Sequence, residues 1–204
     1  MSRGPANRPQ QSQGRSTTLP IFVAVILISA VAIFLALRGQ FGGEPDPADV
    51  PADASVTAFW LETGGPMLRE ARDAGPEQVT DINDGQTCRP SEQVQAERCP
   101  SLPARYEEHA LFFERLAGRA RNAPPAPAGT SAEPWWTKQI EAWDAQAADF
   151  RRMAEIGRAG FADADWAPVI AGTMDGVRLQ SEAEVLLGSM LLAVEPESRI
   201  VPMR

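Results

Sequence analysis

Apolar side chains follow two patterns along this 204-residue chain: one unbroken run near the amino terminus and helix-like spacing further on. The run extends from Leu19 to Leu37 without a charge, and Ser29 is its only polar side chain. At about 1.5 Å per residue it spans roughly 28 Å, close to the ~30 Å hydrocarbon core of a bilayer. The pattern predicts one transmembrane helix over residues 19–37.

The same run has to be distinguished from a cleavable signal peptide. Such a peptide has a shorter apolar region, about 7–15 residues, followed by a small-x-small site in polar context. The best candidate site, Ala30-Val31-Ala32, lies inside the run. We therefore expect an uncleaved signal anchor, with cleavage after export as the alternative.

Charge predicts the orientation of this span. Residues 1–38 carry four arginines and no acid, whereas residues 39–204 carry 15 basic and 27 acidic side chains, a formal charge of −12. Because positive residues stay in the cytoplasm, the amino terminus is expected inside and the carboxyl part outside. Lys138 is the single lysine, a composition typical of GC-rich bacteria. We therefore expect a bacterial inner-membrane protein with a periplasmic domain.

Beyond the span, apolar residues recur three or four positions apart, which is typical of helices. Two rows are clear, one after Ser101 and one after Pro134. The first comprises Leu102, Tyr106, His109, Phe113, Leu116 and Ala120, and the second Trp136, Ile140, Trp143, Ala147, Phe150 and Ala154. The second row steps by four and three, as in a helix that packs along another at a shallow angle.

Weaker signals predict the remaining elements. One helix is expected over 55–62, ended by Gly64-Gly65, and another from Pro66, ended by Gly75; the proline-rich stretch 123–134 is expected as a connection. Near the carboxyl end a short helix is predicted over 165–171 and a longer one from Ser181, where Ser181 and Glu184 form a capping-box pattern. The stretches "GVRLQ" and "SRIVPM" suggest two short strands flanking it.

The predicted organisation is thus mainly α. It comprises a disordered cytoplasmic tail (1–18), the transmembrane signal anchor (19–37), a Gly/Pro/Asp-rich linker (38–54) and a helical periplasmic domain (55–204), with a minor two-stranded β element near its end. The −12 charge argues against nucleic-acid binding, which needs a basic surface. No cofactor is expected.

Candidate chemistry begins with the two cysteines. Cys88 and Cys99 lie in an oxidising compartment if the topology is right, and they are expected to form one disulfide. Thiol-exchange and haem motifs need Cys-x-x-Cys, which is absent here, and zinc needs four ligands where the sole histidine supplies only a third. A redox or metal role and free thiols remain the alternatives.

His109 is that sole histidine, so any Ser-His or Cys-His catalysis would pass through it. Its place in an apolar row favours a half-buried packing residue bonded to a neighbour, with catalysis or a pH-sensitive contact as alternatives. "DINDG" (81–85) resembles a calcium loop but lacks the spacing and the final glutamate, so a turn is expected there. These patterns indicate neither catalytic nor metal-binding residues.

Two aromatic residues fall outside the apolar rows. Trp135 heads a row continuing through Lys138, Gln139, Ala142, Gln146 and Asp149, which we interpret as solvated, and Phe112 belongs to a row rich in Arg and Glu. Trp135 is expected either under the proline-rich loop or at a partner interface, since tryptophan is frequent at interface hot spots. Trp135 and Phe112 are the candidate interaction surface.

Together these patterns favour a tethered interaction protein: an accessory, assembly or scaffold component of an envelope or inner-membrane complex, bound to a protein partner that the sequence does not identify. A periplasmic module that binds or senses a small ligand among the tryptophans is the alternative. An enzyme is not expected, because no group of residues with catalytic spacing is present.

Overall fold

The computed structural model describes residues 51–92 and 97–199. In this part of the chain all regular elements are helical, so the mainly α prediction is confirmed for these residues. The helices are α1 (Ala54–Phe59), α2 (Gly65–Thr87), α3 (Leu102–Asn122), α4 (Ala132–Arg158), α5 (Asp163–Ile170) and α6 (Asp175–Leu192). A π-helical segment (Trp60–Gly64) joins α1 to α2, and 3₁₀ turns span Cys99–Ser101 and Pro196–Ser198.

Helix α4 is the centre of the bundle, because α3 packs along one of its sides and α6 along the other. Helices α3 and α4 run antiparallel: Glu107 near the start of α3 pairs with Arg158 at the end of α4, and Arg121 pairs with Asp144. Helix α2 packs on α3, and its Arg72 lies close enough to Glu184 of α6 to act on that carboxyl group.

The two predicted apolar rows form the core. All six residues of the α3 row are buried, and five of the six in the α4 row are buried, with Ile140 half-buried. The boundaries of α3 are within a residue or two of the prediction, and α4 begins slightly before it, at Ala132. Both long central helices were therefore predicted correctly from hydrophobic spacing alone.

The predicted breaks before and within α2 are wrong. The backbone stays helical through Gly64 and Gly65, and both glycines have right-handed helical backbone angles. In the π segment, Gly65 N–H donates to the Trp60 carbonyl. A Cβ on Gly64 would lie 2.8 Å from the Trp135 ring, so this glycine serves close packing. Helix α2 also continues past Gly75 and Pro76 to Thr87.

The predicted carboxyl-terminal elements also need correction. Residues 176–180 lie in the first turns of α6, not in a strand. Ser181 is inside α6 and donates to the Val177 carbonyl at 3.0 Å, so it cannot cap the helix as the Ser181–Glu184 pattern predicted. Ser198, where the second suggested strand would begin, is the last residue of a 3₁₀ turn, and residues 200–203 of that stretch lie outside the described residues. Helix α5 lies within two residues of its prediction.

The two ends of the described chain meet at one end of the bundle. Asp53 N–H donates to the Ala193 carbonyl at 2.8 Å, and Glu195 N–H donates to Thr57 Oγ1 at 3.1 Å. The Trp60 indole reaches the Ser198 carbonyl at 3.1 Å. Asp53, not Ser55, supplies the amino-terminal cap of α1, since its carboxylate accepts from the N–H groups of Ser55 and Val56.

The predicted transmembrane helix, the cytoplasmic tail and most of the linker fall outside the described residues. Among the helices that the structure does describe, none combines the length and the apolar character that a membrane crossing needs.

Candidate functional site

The densest group of polar contacts in the described chain lies where α2 passes α3. Asp81 of α2 is fully buried, and its carboxylate accepts from Arg105 Nε at 2.8 and 2.9 Å. His109 Nε2 lies 2.8 Å from Asp81 Oδ2, and the Tyr106 hydroxyl donates to the Asp81 carbonyl at 2.8 Å. We call Asp81, Arg105, Tyr106 and His109 the Asp81 cluster.

Local sequence explains why these side chains meet. Arg105 and His109 are four residues apart and therefore project from the same side of α3. On α2, buried residues follow one another at Gln78, Asp81 and Gly85, which turns the Asp81 carboxylate toward that side. The guanidinium of Arg105 also bonds Glu77 at 2.7 Å, so it joins two successive turns of α2.

Charge compensation dominates the electrostatics of the cluster. The hydrogen bond to Asp81 raises the pKa of the Arg105 guanidinium, which keeps it cationic beside the buried carboxylate. Burial raises the pKa of the Tyr106 hydroxyl, and the negative charges of Asp81 and Asp84 raise it further. Tyr106 is therefore a neutral hydrogen-bond donor at physiological pH.

The Asp81 cluster is closely packed around His109 and Tyr106, whereas Arg105 is partly exposed. The His109 ring lies 5.1 Å from that of Phe150, and the Tyr106 ring 6.1 Å from that of Trp166. A Cβ on Gly85 would come within 2.7 Å of Trp166. A substrate would have to displace these rings, so the arrangement suits a structural connection between α2 and α3 better than catalysis.

His109 packs in the core and is bonded, as the packing interpretation predicts, but at 9% exposure it is buried and not half-buried. Its partner is Asp81, across the interface between α2 and α3. The predicted turn at "DINDG" is wrong, because residues 81–85 lie within α2. Sequence reasoning missed Asp81 for that reason, although an arginine four residues before the sole histidine, at the edge of the apolar row, was a usable signal for an acidic partner.

A disulfide joins Cys88 and Cys99 next to the Asp81 cluster, which is compatible with the predicted pairing. It connects the end of α2 to the 3₁₀ turn that leads into α3. Arg98 on the intervening segment bonds Asp84 at 2.8 Å. Arg89 reaches Asp163 of α5 at 3.3 Å, and Ser91 also bonds this carboxylate. The disulfide and these polar contacts together hold the α2–α3 connection against α5.

Trp135 is fully buried, which corrects the interpretation that its row is solvated. Its ring lies 5.9 Å from that of Trp60 and 6.3 Å from that of Phe59, beside the π segment. In the same row Gln139 and Ala142 are also fully buried, because this side of α4 packs against other helices of the bundle. Trp135 is thus a core residue and offers no surface to a partner in this conformation.

Phe112 is half-buried and lies edge-on to Phe113, with ring centroids 5.2 Å apart. Its row follows α2: Arg105 bonds Asp81, and Arg119 pairs with Glu70. Phe112 therefore faces the α2–α3 boundary, and only part of its ring is open to a partner.

One surface depression of about 480 Å³ lies along α4 at its contact with α5. Arg151, Arg152, Glu155 and Asp165 line it together with Ala148 and Ile156. Arg151 is already paired with Glu114, and the other charged groups of the lining are one cation, Arg152, and two acids, Glu155 and Asp165. The mixed charges favour neither a strong anion nor a strong cation.

Among residues 51–92 and 97–199, no three His, Cys, Asp or Glu side chains converge in a way that would hold a metal ion. Comparison with known proteins finds no matching family model, no similar curated protein and no similar solved structure.

Proposed function

We propose that this chain is a membrane-tethered periplasmic accessory or scaffold protein of an envelope or inner-membrane complex, which acts through protein–protein contacts. The main support is that both ends of the described chain lie at one end of the bundle, where Asp53 N–H donates to the Ala193 carbonyl. A tether entering at residue 51 would leave the long sides of the bundle and its disulfide end free for a partner.

The packed interior supports binding on the outer surface. Trp135, Trp136, Trp143 and Trp166 are each at most 5% exposed and contact other aromatic rings. A ligand among them would have to displace this core, whereas the exposed sides of α3 and α6 need no rearrangement to meet another protein.

The surface depression on α4 supports a second candidate, a module that binds a small zwitterionic ligand. Arg152 and Asp165 would supply opposite charges there. Because Trp166 is the neighbour of Asp165, a bound ligand should change the tryptophan fluorescence of the purified protein. A saturable change without any protein partner, lost in Arg152→Ala, would favour this alternative.

Topology is tested by phosphatase reporters in the native host. A reporter fused after Arg204 should be active, and one fused before Thr17 inactive; the reverse pattern would contradict the tether. The matched control is Ile26→Arg, which places a charge inside the apolar run and should weaken membrane retention.

The scaffold role is tested by purifying the full chain from native membranes in mild detergent after photo-crosslinking from exposed helix positions. Leu111 on α3 and Val185 on α6 are suitable because both side chains are exposed. Reproducible adducts with an envelope protein, absent when the probe replaces buried Leu116, would support the proposal. Free monomer at every exposed position would contradict it.

A further inference from the structure

Three buried side-chain atoms along one side of α4 have no hydrogen-bond partner within the described chain. They are Ser131 Oγ, just before the first residue of α4, Trp135 Nε1 and Gln139 Oε1. Residues four apart project from the same side of a helix, so these side chains follow one another along α4. Trp135 and Gln139 are fully buried. We call Ser131, Trp135 and Gln139 the polar row.

The polar row combines donors and acceptors, unlike two other buried atoms that lack a partner in the described chain. Gln78 Nε2 and Trp166 Nε1 are both donors, and they belong to different helices. In the polar row, the Trp135 N–H donor lies between two groups that accept, the Gln139 oxygen and the Ser131 hydroxyl. A water molecule both accepts and donates hydrogen bonds, so it satisfies both kinds of atom at once.

The Trp135 ring is held in place by its neighbours, which fixes the direction of its N–H. It lies among the rings of Phe59, Trp60 and Trp136, with centroids 5.5 to 6.3 Å away. Its Cζ3 and Cη2 atoms face Gly64, where a Cβ would be 2.8 Å from each of them. The N–H belongs to the five-membered ring and is therefore on the side of the indole away from Gly64.

The Gln139 amide is oriented by a chain of hydrogen bonds that ends at Glu184 on α6. Burial raises the pKa of the Glu184 carboxyl group, and a hydrogen bond from the Gln180 side chain opposes this rise. Gln180 donates to Glu184 and therefore presents its Oε1 to α4, where it accepts from Gln139 Nε2 at 3.0 Å. Exchanging the nitrogen and oxygen of Gln139 would bring two acceptor oxygens together. Gln139 Oε1 is thus the atom without a partner.

We propose that ordered water occupies the polar row and bridges Ser131, Trp135 and Gln139. The Trp135 N–H donates to a water molecule, which donates in turn to Gln139 Oε1, and the Ser131 hydroxyl continues the chain toward the start of α4. An unpaired buried polar atom is costly, and water bonded to such atoms is a regular part of protein interiors. Ser131 is half-buried, so water can enter from this end. This site needs neither a tether nor a protein partner and is independent of the proposed function.

Nuclear magnetic resonance tests this site in the full chain, purified in detergent micelles. The chain has five tryptophans, and isotope labelling of the indole nitrogens gives one N–H signal for each. Trp135→Phe identifies the Trp135 signal by its loss. We expect a cross peak between this N–H and water, with the sign of a long-lived contact. Trp60 is the matched control, because its N–H donates to the Ser198 carbonyl at 3.1 Å and should show no such peak.

Two results of this measurement would overturn the proposal. One is the absence of a water cross peak at Trp135, whether its N–H then bonds the Gln139 oxygen directly or stays unpaired. The other is a pair of equally strong peaks at Trp135 and Trp60, because these would indicate solvent entry throughout the aromatic core and not water bound at the polar row.

A pair of glutamine variants provides the second measurement. Gln139→Met removes the acceptor of the bridging water and should lower the Trp135 cross peak about fivefold, the factor that corresponds to one net hydrogen bond. Gln146→Met is the matched control, because Gln146 also donates to Gln180, at 3.4 Å, but lies about two turns beyond Gln139. It should leave the cross peak unchanged. An unchanged cross peak in Gln139→Met would overturn the bridge.

Ser131→Ala keeps the test decisive if Gln139→Met does not fold. Ser131 precedes the first residue of α4 and its side chain makes no capping bond to the helix, so this substitution should leave the core intact. We expect a weaker cross peak at Trp135, because the water loses the partner that continues the chain. An unchanged peak in Ser131→Ala would contradict the water chain along the polar row.

Discussion

The two sides of α4 hold their neighbouring helices by different chemistry. Toward α3 the contact is aromatic: the Phe150 ring lies within 6.3 Å of those of Tyr106, His109 and Phe113. Toward α6 the contact adds polar groups to the buried apolar residues Leu187 and Met190: Gln139 and Gln146 donate to Gln180 at 3.0 and 3.4 Å. Asp149 on this side accepts from Gly176 N–H at 2.7 Å.

Ion pairs frame the aromatic side at regular intervals. Glu107, Glu114 and Arg121 of α3 are seven residues apart and pair with Arg158, Arg151 and Asp144 of α4. This is the spacing of an antiparallel coiled-coil edge. Because exposed pairs contribute about 0–1 kcal/mol each, they fix the helix register more than they stabilise it.

The two contacts contribute differently to the fold: the aromatic contact mainly stabilises it, and the polar contact mainly positions α6. Burying an aromatic side chain contributes several kcal/mol, whereas a net hydrogen bond contributes about 1 kcal/mol. Gln139 Oε1 is buried without a hydrogen-bond partner, so the polar side is also incompletely satisfied. We infer that α3–α4 is the stable part of the bundle and that α6 is the more easily perturbed helix.

The largest expected loss of stability comes from changing the aromatic contact between α4 and α3. Phe150→Ala should lower the free energy of unfolding by about 3–5 kcal/mol, because it opens a cavity among three rings. Urea unfolding followed by circular dichroism measures this loss. Leu111→Ala, at an exposed position of α3, should change stability by less than about 0.5 kcal/mol. A loss below 1 kcal/mol in Phe150→Ala would contradict the comparison.

An intermediate effect is expected where α6 touches α4. A Cβ at Gly176 would lie 2.9 Å from the Gln146 backbone, so Gly176→Ala should push the helices apart and lower the free energy of unfolding by about 1–3 kcal/mol. Gly118→Ala, in open space on α3, should instead be neutral or slightly stabilising. Equal effects of the two substitutions would show that α6 does not press on α4.

The smallest expected effect is the pH dependence that Asp149 gives to the free energy of unfolding. Burial raises the pKa of Asp149, the nearby Asp175 adds to this, and the Gly176 N–H bond and Arg152 oppose it. The folded chain therefore holds this proton to higher pH than the unfolded chain, and the contribution of Asp149 to stability falls as pH rises above about 4.

Asp149→Asn removes this titration while keeping an acceptor for Gly176. We expect the variant to gain under about 1 kcal/mol over the parent at pH 7, since the group is partly solvated, and less as pH approaches 4. Thermal unfolding across this range measures the difference. A constant difference at all pH values would show that Asp149 does not titrate with folding.

Hydrophobic spacing predicted α3 and α4 because most of their buried residues lie in regular rows. It failed for Trp135 and Gln139 because α4 is buried on two sides, and a polar row can face another helix as well as solvent. That second burial depends on α6, which the Ser181–Glu184 pattern placed six residues too late.

Local signals failed in α2 for a different reason. Gly75 and Pro76 ordinarily end a helix, and an internal proline costs about 3 kcal/mol. Beyond them, however, Asp81 contacts Arg105 and His109, and Cys88 is bonded to Cys99. The Asp81 contacts join residues 24 and 28 apart in the sequence, a range at which helix propensity carries no information. The cysteine pairing was expected, but it did not show that α2 continues up to Cys88. These contacts stabilise the helical backbone of α2 by more than Gly75 and Pro76 destabilise it.

The uninterrupted helical path from Ala54 to Thr87 also has a mechanical consequence. Tension applied to the chain before Asp53 would act along the axis of this path. Helix α2 would then have to slide past α3, and the Arg105–Asp81 contact and the Cys88–Cys99 crosslink would resist the load together. In this shear geometry several bonds share the force. The domain would therefore withstand a force that would break the bonds of a hairpin one after another.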